Sequence, residues 1–241
     1  MNRRFWFYLI PLTVVVILGL LTILDFRSYG VTLYGPNLLR NPSFEQGNFA
    51  NEPGQQLLQE CKILCGGSNE MDSWQIFRQP ANTAQSCTAD PDAIARCSKN
   101  NPFSLTTDDG EFFVDLTGYN NRPPAQFGAI QQTVANTTAG KEYELSFRIG
   151  SSSKYKPTAP PGSTPFYSVT ASVLGVKQQS FRVGAATEVS HWDPQAMSFI
   201  APTGGTTIAF YGSGSGGDFL GIDGASLRRI CSILEVLSGC M

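Results

Sequence analysis

Along Tyr143-Glu144-Leu145-Ser146-Phe147-Arg148-Ile149, apolar and polar side chains alternate without a break. Successive side chains of a strand point to opposite faces, so this run predicts a β-strand with one buried face and one wet face. Further runs that read as strands lie along the chain: Trp74 to Arg78, Phe112 to Leu116, Ala129 to Val134, Tyr167 to Leu174, Val176 to Val183, Gln195 to Ile200, Thr206 to Tyr211 and Phe219 to Leu227. Turn residues separate them, as in Asn136-Thr137-Thr138-Ala139-Gly140, and Pro123 and Pro124 keep one connection extended. About ten short strands with no βαβ rhythm predict an all-β fold, an antiparallel β-sandwich of jelly-roll type. Ser151 to Pro165 is too rich in Ser, Pro and Gly for a core strand. Two short helices are expected. Leu57, Leu58, Cys61 and Leu64 fall near helical spacing within Gln55 to Leu64, and Asp90-Pro91 offers a cap and first position for a helix to Cys97.

The two ends of the patterned region complement each other. Asn37-Leu38-Leu39-Arg40-Asn41-Pro42-Ser43-Phe44-Glu45-Gln46-Gly47 packs apolar residues, a turn and a carboxylate into what is expected to be the first strand. Gly217 to Leu227 alternates apolar residues with Asp223 on the opposite parity, and the two stretches are expected to lie side by side and close the domain. This gives a domain over 37–229, with residues 48–102 as a cysteine-containing insertion and 230–241 as a tail, expected to be a short helix.

Ahead of it, Arg3 and Arg4 precede Phe5 to Leu24, twenty residues without a charge. That length spans a bilayer as a helix, and the two arginines place the N-terminus on the cytoplasmic side. Residues 1–30 are therefore expected to be a cytoplasmic stub, a signal-anchor helix and a connector; a signal peptide cleaved near Gly30 is the alternative. Either way the domain lies outside the cytoplasm.

Composition narrows the function. Seventeen Lys and Arg against nineteen Asp and Glu leave a net charge of -2, with no basic face of the kind nucleic acid requires. Six cysteines, Cys61, Cys65, Cys87, Cys97, Cys231 and Cys240, are an even count in an exported domain and predict disulfides. Proximity favours Cys231 with Cys240, leaving the other four to staple the insertion. A zinc site from Cys61, Cys65, Cys87 and Cys97 is disfavoured because no Cys-x-x-Cys knuckle is present.

The runs NLLRNPSFEQG, GEFFVDLTG, GAIQQTV, GKEYELSFRIG, MSFIAPTGGTTIAFYGS and FLGIDGASL together resemble galactose-binding-like jelly-roll modules. DUF642-type extracellular proteins and carbohydrate-binding modules share that fold. The resemblance implies a structural calcium where the first and last strands meet, held by an acidic residue from each; Glu45 and Asp223 match those positions. It also implies a sugar ligand. Sugars pack a C–H face on an aromatic ring while amides and guanidinium groups meet their hydroxyls. Tyr119 with Asn120, Asn121 and Arg122 combines these, and Tyr155 beside Lys154 does so more weakly; Trp74 and Trp192 are expected in the core.

Catalysis finds little in the sequence. His191 is the single histidine, and no Ser/His/Asp or metal-binding pattern surrounds it. Asp108, Asp109, Glu111, Asp115 and Asp218 keep a glycoside-acting pair of carboxylates in view. Gly212 to Gly217 matches a dinucleotide-binding motif in letters but lies between strands, where it is a flexible loop. Asn136-Thr137-Thr138 is a glycosylation sequon, of use in a eukaryotic secretory pathway. The expected function is a non-catalytic binding module for carbohydrate at the cell surface or wall. A structural or adhesive protein contacting other surface proteins is the alternative, and a glycoside-acting enzyme comes third.

Overall fold

A computed structural model describes residues 32–48, 60–77, 93–101, 104–117, 128–152, 167–183, 190–214, 220–237 and 239–240. The apolar stretch Phe5 to Leu24 lies outside these residues; among those described, no helix is long and apolar enough to cross a membrane. The chain forms two compact units, Gly35–Ile230 and a smaller one of Met1–Tyr34 with Cys231–Met241.

The larger unit is an antiparallel β-sandwich. In chain order, after β1 (Leu33–Tyr34) in the smaller unit, the strands are β2 (Cys61–Leu64), β3 (Gln75–Ile76), β4 (Ile94–Ser98), β5 (Phe112–Asp115), β6 (Ala129–Val134), β7 (Glu142–Ser151), β8 (Tyr167–Val173), β9 (Lys177–Val183), β10 (His191–Ile200), β11 (Thr206–Gly214) and β12 (Gly221–Cys231). The first sheet runs β10-β7-β12-β5-β4-β2 and the second β3-β6-β11-β8-β9. The alternation in β7 decides how they face: Tyr143, Leu145, Phe147 and Ile149 are buried, while Glu144, Ser146 and Arg148 are only partly so. Phe147 meets Phe210 of β11 at a ring distance of 4.8 Å, joining the two sheets through the core.

Both expected helices are corrected where the structure describes them. Cys61–Leu64 and Ile94–Ser98 are strands that pair with each other, and every residue in them is buried. A continuous apolar run covered on both faces has no period to read, which is why helical spacing misled here. The segment 48–102 thereby supplies two strands of the first sheet. On this sheet Cys61, Ala95 and Cys97 form a second apolar cluster with Leu105, Phe113 and Trp192. Cys61 and Cys97 form a disulfide across the β2–β4 pair. Cys65 is also disulfide-bonded, and Cys87 lies outside the described residues.

The smaller unit contains the disulfide Cys231–Cys240 expected from proximity, and a helix, α1 (Ile233–Leu237). Ser232 and Glu235 cap its start reciprocally: the Ser232 N–H donates to Glu235 Oε2, and the Glu235 N–H to Ser232 Oγ. Gly239, at φ 93°, ends it, with the Gly239 and Cys240 N–H groups returning to the carbonyls of Val236 and Glu235.

Candidate functional site

The opening stretch is not the regular strand expected. Asn41 (φ 49°) and Phe44 (φ 60°) adopt left-handed backbone conformations, which side chains rarely favour and only surrounding contacts can maintain. Those contacts are present. The Asn41 amide donates to the carbonyls of Gln46 and Asp72 and accepts the Gln46 N–H, while Trp74 Nε1 donates to the Asn41 carbonyl. Phe44, fully buried, packs on Trp74 at 5.3 Å. From β4, Arg96 donates to the carbonyls of Phe44 (2.7 Å) and Glu45 (2.9 Å), with its guanidinium 3.5 Å from the centre of the Phe112 ring. Desolvation pulls Arg96 down to about 10 against the opposing charge of Glu45, so it stays a cation.

As expected, this stretch lies along β12. The Leu38 N–H donates to Leu227, the Gly35 N–H to Arg229, and the Ala225 N–H to Pro42. Asn37 bridges them through Ala225 and Leu227. A register shift between Asp223 and Ser226 interrupts β12, with Gly224 at φ 55°. Such a bulge re-aims the neighbouring side chain. Here it accompanies a fully buried Asp223 directed at the turn before β5.

Glu45 and Asp223 address that same turn. Asp223 Oδ2 accepts the N–H groups of Asp108 and Asp109, both at 3.0 Å, and Glu45 Oε1 accepts those of Glu111 (3.0 Å) and Phe112 (2.9 Å). Between them Gly110 sits at φ 77°, where a Cβ would lie 2.5 Å from Glu45 Oε1. Burial raises Asp223 to about 7, against the N–H bonds and helped by the negative charge of Asp108. Asp108 is itself paired with Arg148 at 2.8 Å. Among the described residues no group of three His, Cys, Asp or Glu side chains converges as a metal site.

Two of the other acids singled out for catalysis are also engaged in structure. Glu111 pairs with Lys99, and Asp115, raised to about 6 by burial, accepts bonds from Thr117 and Leu220. Asp109 is exposed at the turn, and Asp218 lies outside the described residues. His191 bonds to Asp193 at 3.0 Å.

Tyr119, Asn120, Arg122 and Tyr155 also lie outside the described residues. The stretches that hold them begin after Thr117 and Ser152, just past β5 and β7 of the first sheet, and end before Gly128 and Tyr167. Phe77, Gly128, Tyr167, Val183 and Gly214 all stand at one end of the second sheet. The outer face of this sheet was missed by the sequence reading, although strand parity holds the signal. With Ile76, Ile130, Phe210, Val169 and Phe181 buried, alternate positions turn outward: Gln75, Gln131, Tyr211, Thr170, Ser180 and Arg182. Gln131 donates to Gln75 at 2.9 Å, and Thr170 and Ser180 share a hydrogen bond of 2.7 Å. Phe77 and Tyr211, both half-buried, meet edge to face at 6.0 Å. Trp74 is in the core as expected, whereas Trp192 covers Gly150 on the first sheet and donates to the Thr106 carbonyl.

No protein-family model matches the chain. No curated protein matches it. Among solved structures, it is similar to the apo form of a cyclase from Fischerella sp., with a TM-score of 0.50 and 13% identity over 82% of this chain and 96% of that one. It is more distantly similar to the module TmCBM61 in complex with β-1,4-galactotriose (TM-score 0.39, 18% identity, 80% and 99% covered) and to a CBM4 module (0.35, 14%, 79% and 98%). The first likeness shows a shared fold and says nothing of chemistry; the other two are too loose to add to it.

Proposed function

We propose that the chain is a non-catalytic carbohydrate-binding module of jelly-roll type, taking a polysaccharide on the outer face of its second sheet. The observation that carries this reading is the Phe77–Tyr211 ring pair beside the hydrogen-bonded amides of Gln75 and Gln131. A ring surface for the sugar C–H face, edged by amides and hydroxyls for its oxygens, is the chemistry a glycan needs. No Asp or Glu occupies a described outward position of β3, β6, β8, β9 or β11, which favours a neutral or acidic glycan. Tyr119, Asn120, Arg122 and Tyr155 are proposed as further sugar contacts. The engagement of Glu111, Asp108 and Asp115 in structural bonds supports binding over hydrolysis.

The setting proposed is extracytoplasmic, with Phe5 to Leu24 as a membrane anchor; three disulfide-bonded cysteines outside the Cys231–Cys240 pair suit an oxidising compartment. Calcium fits the turn before β5 in charge and ligand type: Glu45 and Asp223 would hold it, with carbonyls completing a shell of hard oxygens. When bound, it would neutralise the buried acid and tie the turn; the sheet face would act without it.

The test is affinity electrophoresis of the full chain against a panel of soluble polysaccharides. Tyr211→Ala and Gln131→Ala should each weaken retention by about tenfold, the effect of losing one well-placed contact. Retention by no polysaccharide at all would overturn the proposal in favour of a partner protein.

A further inference from the structure

The far end of the second sheet, away from the sheet end where Phe77 and Tyr167 stand, holds a cavity of about 500 Å³, within the size range of small-molecule sites. Leu38 and Val134 give it an apolar side. Arg40, Ser73 and Asn136 give it a polar one. We propose that this cavity binds a small carboxylate-bearing ligand, either a hexuronic acid unit of a glycan or a free hydroxy acid.

The fold has already used some of the polar groups around this cavity. Gln132, buried at the cavity wall, spends its amide on the backbone of Arg40: it accepts the Arg40 N–H at 2.8 Å and donates to the Arg40 carbonyl at 2.9 Å. Two bonds to one residue fix its backbone beside the opening. Thr133 and Thr137 are committed to Thr207 and Thr206. By contrast, the Arg40 guanidinium, exposed, forms no ion pair or side-chain hydrogen bond among the described residues, and the same holds for the Asn136 amide and the Ser73 hydroxyl. Ser73 is kept at φ 67°, a conformation costly for a serine and maintained by the surrounding turn.

A fixed backbone carrying an unspent guanidinium, at a cavity that an amide and a hydroxyl also line, is complementary to one carboxylate flanked by hydroxyl groups. Guanidinium binds carboxylate through two parallel N–H bonds, which a neutral sugar cannot return. No Asp or Glu lines the cavity to compete. The apolar wall of Leu38 and Val134 suits the C–H side of a sugar ring.

The experiment is a titration of the 15N-labelled full chain, in detergent solution, with galacturonate, galactose and lactate, following the Arg40 Nε and Asn136 side-chain signals. Galacturonate should move both, and galactose should bind at least about tenfold more weakly, as loss of a charged bond predicts. Lactate matching galacturonate would assign the site to free hydroxy acids; lactate binding more weakly would assign it to uronic acid units. Arg40→Gln should weaken binding by about tenfold or more with an unchanged melting temperature, and Arg40→Lys by less. Tyr211→Ala should leave these shifts as they are, which separates this site from the sheet face. Galactose binding as well as galacturonate, or an Asn136 shift unchanged in Arg40→Gln, would overturn the proposal.

Discussion

Glu45 and Asp223, 178 positions apart in the chain, take hold of the two ends of one turn: Asp223 accepts the N–H groups of Asp108 and Asp109, and Glu45 those of Glu111 and Phe112. Removing the fully buried one strands three part-buried donors, the N–H groups of Asp108, Asp109 and Gly224. Asp223→Ala is expected to cost about 2–4 kcal/mol in urea unfolding, near the low end of about 1–3 for each unmet group because water reaches the turn. Glu45→Ala, at a more exposed end, should cost less. An Asp223→Ala variant as stable as the parent would show that the turn does not depend on this acid.

If calcium occupies this turn, adding it should raise the melting temperature by several degrees relative to chelator, because a ligand of the native state alone stabilises that state. Calorimetry with and without chelator measures it. The shift should vanish in Asp223→Ala; a melting temperature indifferent to calcium in the parent removes the ion from the account.

Asp115 makes stability depend on pH. Its carboxyl is raised from 3.8 to about 6 by burial, so the folded state holds the proton more tightly than the unfolded chain. The contribution is complete below 3.8 and is lost as pH rises through about 6, amounting to about 3 kcal/mol. Asparagine at this position still accepts from Thr117 and Leu220 but does not titrate. Unfolding free energies of Asp115→Asn and parent, compared from pH 4 to 7 without calcium, should therefore diverge by about 2–3 kcal/mol across that range. Parallel curves would refute the assignment.

Gly150 lies under the Trp192 ring, where a Cβ would come within 2.7 Å of ring carbons. Gly150→Ala should destabilise by about 1–3 kcal/mol, the usual cost of overpacking. In a Trp192→Ala background the same change should be nearly neutral, and a double-mutant cycle reads the difference. Equal costs in both backgrounds would mean that the ring is not the obstacle.

The two disulfides whose partners are both described close loops of different size. Cys61–Cys97 spans 36 positions and Cys231–Cys240 spans 9. Chain entropy then assigns about 4 kcal/mol to the first and about 3 to the second. Replacing each pair by serine and measuring unfolding should preserve that order; a larger loss from the shorter loop would point to contacts in place of loop entropy.

Strands with one wet face were legible in the sequence because alternation records the difference between their faces, as in β7. So was the meeting of Asn37–Gly47 with β12, since both carry apolar residues and an acid. β2 and β4 were not legible, because residues covered on both sides carry no alternation. The sheet-face chemistry of Tyr211 and Gln131 was hidden for another reason. Each sits in a different strand, and only the registers Tyr211↔Ala129 and Gln75↔Gln131 bring these positions into one patch. The cavity at Arg40 depends on residues 92 positions apart, joined by a Gln132 amide that nothing local announces.

Among the described residues β12 is the last strand, and yet it lies inside the first sheet, between β7 and β5. During synthesis those two neighbours leave the ribosome before it, with bare edges. The sandwich must therefore wait until residue 231 has emerged before it can close, and the nascent polypeptide needs protection from mispairing over that interval.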